Sequence, residues 1–247
     1  WFVVMANQVA AFWAAFSIFF YVFIYTAWLK RSTVQNIVIG GIAGSTPPVI
    51  GWAAASDDLT IKTDSAINFF DSIFSLGSFM PWFLFLLIFL WTPPHFWALA
   101  LYRSEEYEKV NIPMMPGIKG PEKTLFTMKI YVIILVLLSF LSPFALNNLE
   151  FDEYLFHIFC WTNVILSTWY ASTVFKIDLN EQKDKTGRIP TAARSFWVSM
   201  LYLALIFVAV VMASIGTIGG IIGALISTII IIRNQLKAKK EINPFSS

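Results

Sequence analysis

The chain has 247 residues, of which 57% are hydrophobic and only 13% charged. A soluble domain carries roughly 25% charged residues, so composition excludes a water-soluble globular domain. The formal net charge of +2 gives no reason to expect a nucleic-acid partner, and the single cysteine, Cys160, excludes an internal disulfide framework.

A membrane span needs about 20 predominantly apolar residues. Seven stretches meet that need in chain order: Val9–Leu29, Val34–Ala55, Phe79–Tyr102, Phe126–Leu146, Tyr154–Phe175, Phe196–Ser214 and Thr217–Ile232. Between the second and third, Ala66–Leu76 reads as a short interfacial helix. The last apolar stretch has to be divided. A single helix over its 37 residues, Phe196–Ile232, would be about 55 Å long against a hydrocarbon core of about 30 Å. Gly216, Gly219 and Gly220 supply the turn. Residues 233–247 are expected as a short basic tail.

With seven spans, alternate loops fall on opposite sides, and sixteen of the seventeen Lys and Arg residues collect on one of them, leaving only Lys62 on the other. Positive residues stay on the cytoplasmic side, or on the matrix side of a mitochondrial inner membrane. The opposite loops carry Asp57, Asp58, Asp64 and Asp71, then Glu150, Asp152 and Glu153, as a solvated rim would. The fold class is therefore an all-α polytopic helix bundle in the bilayer, and residues 1–247 read as one domain.

Chemistry concentrates in two places. The first is Trp91–Pro116, which begins W-T-P-P-H-F-W-A-L-A-L-Y-R and ends in a charged loop. Ionisable side chains inside lipid are costly unless they face a cavity or a partner. On an ideal helix Trp91, His95, Leu99, Tyr102 and Glu106 share one stripe, running from a buried imidazole to a charged rim. Pro93 and Pro94 are expected to kink that helix and to leave the alignment of Trp91 open. Glu105 and Glu106 could hold Mg²⁺ beside a basic mouth, or balance Arg103 and Lys109. His95 could ligate heme iron, donate to a propionate, or be bonded within the core. His157 has no supporting neighbours in the sequence.

The second place is Tyr25–Trp52. Lys30 and Arg31 end a span, where two cations either anchor the helix or clamp a diphosphate. Asn36, near the same mouth, could orient a headgroup or bond a neighbouring helix. Gly40 and Gly44 form a small-xxx-small face that lets helices approach closely.

These two stretches resemble the heme O synthase family, the protoheme IX farnesyltransferases of the intramembrane aromatic prenyltransferase superfamily. The family pattern W-T-P-P-H-F-W-x-L-A-L, an acidic residue with Tyr, then I-P-M-x-P, matches Trp91–Pro116. The pattern Y-T-x-W-L-K-R with N-I-V-I-G-G and P-P-x-I-G-W matches Tyr25–Trp52. Ala192–Tyr202 is similar to the start of the family's last span, so the likeness runs from Tyr25 to Tyr202. It implies a farnesyl transfer from farnesyl diphosphate to heme B, with Mg²⁺ as cofactor and heme O handed on to a heme A synthase or terminal oxidase assembly. It further implies that Glu106, Tyr107 and Arg103 close the mouth, with Glu105 and Glu106 as metal ligands. Lys30, Arg31 and Asn36 would then meet the diphosphate with Tyr102 and Lys109, and His95 would position the porphyrin. The family usually has Asp-Tyr where this chain has Glu106-Tyr107.

One superfamily element is absent. No N-x-x-x-D-x-x-x-D motif occurs in the sequence, which starts at Trp1 already apolar. About three spans are expected to precede it in the family's nine, with Thr217–Ile232 lying beyond the likeness. Two rivals share the residues: a prenyltransferase acting on 4-hydroxybenzoate or a quinone precursor, and a transporter, which suits broken helices and intramembrane polar groups.

Overall fold

The computed structural model describes residues 2–57, 59–103, 113–146, 153–184 and 188–242, and among them every regular element is helical. The first long helix, α1, is Gln8–Phe19; it continues as a π-helix over Phe20–Leu29 and a last turn at Lys30–Ser32. Then follow α2 (Asn36–Ser45), α3 (Pro47–Ala55), the short α4 (Ala66–Phe74) and α5 (Met80–Tyr102). The C-terminal half holds α6 (Pro121–Ser139), α7 (Glu153–Phe175), α8 (Pro190–Ala213) and α9 (Thr217–Ile242).

Among the described residues, five units are long and apolar enough to cross a membrane: Gln8–Ser32, Asn36–Ala55, Met80–Tyr102, Pro190–Ala213 and Thr217–Ala238. Their outer faces expose large apolar residues, among them Ile18, Phe23, Trp197, Val211 and Ile229, as helices in lipid do. The expected count of seven is not reached. Helices α6 and α7 stand where two further spans were expected but are not among the five. Helix α6 carries Glu122, Lys123 and Lys129 within its 19 residues. Helix α7 meets α6, α8 and α9 and buries Thr162, Asn163, Ser167 and Thr173. A face packed on other helices can carry hydroxyls and amides as interhelical glue, which lowers the helix's hydropathy.

Helix ends also differ from expectation for local reasons. Pro121 and Pro190 sit in the first turns of α6 and α8, where the missing N–H costs nothing, so both helices start before their apolar runs. Residues 233–242, expected as tail, continue α9 as helix; Gln, Leu, Lys and Ala are good helix formers, and Ala238 is buried. The expected turn between α8 and α9 falls at Gly216, whose φ is +107°. Pro47 and Pro48 open α3, so the second span is two helices meeting at Thr46. The Thr46 hydroxyl donates to Ala43 O at 2.8 Å, using a carbonyl at that join.

Helix α4 forms where the interfacial helix was expected. Carbonyls in its last turn and just beyond it, where intrahelical partners run out, accept three indole N–H groups from three different helices. Trp13 donates to Ile73 O at 2.9 Å, Trp82 to Phe74 O at 3.0 Å and Trp52 to Leu76 O at 3.1 Å. Asn7 joins the same end of the bundle. Its carbonyl caps α1 through Ala10 N, while its amide donates to Ala53 O and Ser56 O at the end of α3. Asn7→Ala removes a cap and both bonds to α3, so a loss of about 1–2 kcal/mol is expected, read as a lower melting temperature in detergent.

Candidate functional site

Helix α5 runs unbroken through Pro93 and Pro94. The expected kink does not displace Trp91 from the stripe: its ring stacks on His95 with centroids 4.3 Å apart and planes at 20°. Phe196 of α8 stacks on the other side of the imidazole at 4.7 Å and 24°. His95 is thus held between two aromatic faces and is 8% exposed.

Its polar atoms are organised by α8 as well. Nδ1 lies 2.6 Å from Ser199 Oγ, and that hydroxyl donates its one proton to Phe196 O at 2.6 Å. With that proton on Phe196 O, Ser199 Oγ accepts from His95 Nδ1–H, the tautomer that leaves a lone pair on Nε2. Trp91 adds a bond from Nε1 to Ser199 O at 2.9 Å. Ser199, Phe196 and Trp91 orient the histidine, and sequence reasoning passed over them in this role. A signal existed: Ser195, Ser199 and Tyr202 recur at spacings of four and three on one face of an apolar helix. The same face meets α7 through Ser195 with Thr173 at 3.3 Å and Tyr202 with Ser167 at 3.1 Å.

Seven residues further along α5, about 10 Å by helical rise, Tyr102 marks the basic end. The Arg188 guanidinium donates to Tyr102 OH at 3.3 Å and lies 5.1 Å from the ring centroid, while that of Arg103 lies 5.9 Å from the same ring. Two cations beside one aromatic ring form a positive rim. Arg188 was not among the expected residues.

Lys30, Arg31 and Asn36 gather at the end of α1 and the start of α2. Asn36 is buried, donates from Nδ2 to Lys30 O at 3.1 Å, and leaves Oδ1 without a partner. Tyr25, in the π-helical stretch, covers Gly40 so closely that a Cβ there would stand 2.3 Å from its ring. Ile37, Ala100 and Met114 cluster together, tying the start of α2 to the end of α5. The Lys30 group and the Tyr102 rim therefore stand at one end of the bundle. His95 is deeper and faces α8, on a different side of α5 from the face that meets Ile37.

Glu105, Glu106, Tyr107 and Lys109 lie outside the described residues. Among the described residues no three His, Cys, Asp or Glu side chains converge as metal ligands would.

A model of the UbiA prenyltransferase family matches residues 1–186. A protein from Parvibaculum lavamentivorans named protoheme IX farnesyltransferase is 40% identical over 220 residues, covering 88% of this chain and 60% of its own length. Proteins of the same name from Beijerinckia indica subsp. indica and Bradyrhizobium diazoefficiens are 41% and 37% identical, each covering 56% of its own length. The chain thus spans less than two thirds of the relatives it matches. No solved structure matches it.

Proposed function

Because the chain belongs to the UbiA prenyltransferase family, we propose that the protein moves farnesyl from farnesyl diphosphate to a vinyl group of heme B, giving heme O and diphosphate. Residues 1–247 would be one domain of that integral membrane enzyme, with the basic loops on the cytoplasmic or matrix side. The observation that carries the reading is the cationic rim at one end of an apolar bundle. A prenyl diphosphate is an apolar chain with a multiply charged head, and such an arrangement suits both parts. The choice of heme over a phenolic acceptor rests on the name that the relatives share.

In this reading the carbon–oxygen bond of the diphosphate breaks, its electron pair stays on the leaving oxygen, and the vinyl π electrons form the new carbon–carbon bond. The electron-deficient ring-side vinyl carbon that results takes up one water, which loses a proton and leaves the hydroxyl of heme O. Lys30 and Arg31 meet the growing negative charge with donors already in place. Asn36 holds the Lys30 turn through its backbone carbonyl and can turn toward the headgroup. Tyr102, Arg103 and Lys109 line the mouth, and Glu106 and Tyr107 close it. The chemistry Mg²⁺ would supply when bound is neutralisation of the departing diphosphate, with Glu105 and Glu106 the carboxylates proposed to hold it. His95, with its Nε2 lone pair, would position the porphyrin. The hydrocarbon surroundings keep bulk water from the allylic carbon of the farnesyl group until the carbon–carbon bond has formed.

The test uses membranes carrying the full-length protein, supplied with heme B and farnesyl diphosphate and assayed for heme O. Unchanged heme B at normal expression rejects the activity. Lys30→Gln with Arg31→Gln removes charged hydrogen bonds worth about 1.5–3 kcal/mol, so the KM for farnesyl diphosphate should rise about 10- to 100-fold. The affinity for heme, followed by absorbance, should stay unchanged.

A further inference from the structure

Helix α9 lies outside the residues matched by the family model, yet it packs along α7 and α8. Its seam with α7 is not closed. A groove of about 310 Å³ runs between them, with Trp161, Ile165 and Leu166 on one wall and Ala224 and Ile231 on the other. The hydroxyls that reach it are already used within their own helices. Thr162 donates to Ile158 O at 2.7 Å, Ser227 to Gly223 O and Thr228 to Ala224 O, both at 2.8 Å. With these hydroxyls satisfied, the groove offers mainly hydrocarbon contact, and the other polar side-chain atoms on its lining belong to the rings of His157 and Trp161.

At its basic end the seam changes character. A second, smaller cleft is formed by Ser172 of α7, Lys176 just past its end, Thr191 and Arg194 of α8, and Gln235 of α9. Both openings lie on the same edge of each helix. Ile165 and Ser172 are seven residues apart on α7, Lys176 follows four residues on, and Ile231 and Gln235 are one turn apart on α9. From Leu166 to Lys176 is about 15 Å along the axis. The Arg194 guanidinium spends one donor on Gln235 Oε1 at 3.4 Å, a long bond that an anion could displace. The carboxylate nearby, Glu181, already accepts the Thr191 N–H and hydroxyl at 2.6 Å each. Arg233 and Lys237 flank Gln235 in the sequence of α9 and add to the positive field.

We propose that this seam binds an anionic phospholipid, with one acyl chain in the groove and the phosphate on Lys176 and Arg194. The order along the seam, apolar first and cationic at the membrane surface, is that of a lipid in the leaflet on the positive side. Basic clefts between helices at this level suit anionic headgroups, and arginine can meet a phosphate with two parallel donors. The lipid would fasten α9 to the bundle.

The experiment is native mass spectrometry of the full chain in detergent, with dioleoyl phosphatidylglycerol, dioleoyl phosphatidylcholine or farnesyl diphosphate added. Phosphatidylglycerol should be retained at least about tenfold more than phosphatidylcholine, one such difference being about 1.4 kcal/mol. Lys176→Gln with Arg194→Gln should erase that preference, and Ala224→Trp, which fills the groove, should reduce retention of both lipids. Equal retention of the two lipids by the unaltered protein overturns the proposal, as does a preference that survives the double substitution. Displacement of bound phosphatidylglycerol by equimolar farnesyl diphosphate also overturns it, by marking the seam as an isoprenoid diphosphate site. These readouts are independent of heme O formation.

Discussion

His95→Phe is expected to leave the bundle folded and to weaken heme binding, whereas His95→Ala is expected to damage both. The imidazole does two separable jobs. Its ring fills the space between Trp91 and Phe196 at centroid distances of 4.3 and 4.7 Å, and its Nε2 lone pair is the atom proposed to meet the porphyrin. Phenylalanine keeps a flat ring in the slot and loses only the Nδ1–H bond to Ser199, a cost of about 1 kcal/mol, since Ser199 still donates to Phe196 O. Alanine empties the slot and should cost about 3 kcal/mol in melting stability, in the range for truncating a buried ring. In both variants the heme affinity should fall about 10- to 100-fold if Nε2 contributes about 1.5–3 kcal/mol. The measurements are a heme titration followed by absorbance and a melting curve in the same detergent. A His95→Phe protein that binds heme as the unaltered one does would remove His95 from the substrate site and leave it a packing residue.

Gly219→Ala should be the most damaging single methyl in the C-terminal half. A Cβ at this position would stand 2.1 Å from Met212 O, a backbone atom fixed in the last turn of α8. No rotamer change relieves that contact, so the α8–α9 turn has to open, at a cost of about 1–3 kcal/mol or more. Gly216, in the left-handed region at φ +107°, holds the same turn from the other side and limits how it can adjust. The expected outcome is a lower melting temperature and faster tryptic cleavage at Arg233 and Lys237 as α9 loosens. Gly117→Ala is the control. Nothing lies within 4 Å of a Cβ there, and stability should be unchanged or slightly raised. An unaltered melting curve for Gly219→Ala would mean that the turn yields to a methyl group without loss of stability.

The candidate site divides along the same physical line as these two cases. The stripe from Trp91 through His95 to Tyr102 follows from a 3.6-residue period, so it could be read from spacing, and the unbroken α5 bears it out. The cations Lys30 and Arg31 could be read too, because the end of an apolar run is a local feature. The partners of His95 could not be named that way. Ser199 is 104 residues away, and no local pattern states which helix will face α5. Arg188 reaches Tyr102 from a loop for the same reason.

By itself the sequence determined that this is an all-helical membrane bundle, where its apolar runs lie, that the α8–α9 stretch must turn, and to which family it belongs. These are properties of composition, period and local residue type, and short windows carry them. Only the tertiary structure decided that the buried hydroxyls of α7 lie on the face packed against its neighbouring helices. The same holds for the three indoles on the carbonyls at the end of α4 and for the two aromatic faces that clamp His95. It also holds for the seam between α7 and α9, apolar along its groove and cationic at one end. Each of these depends on which helices become neighbours. That choice is made by packing between residues far apart in the chain, where small residues allow close approach and buried polar groups require partners.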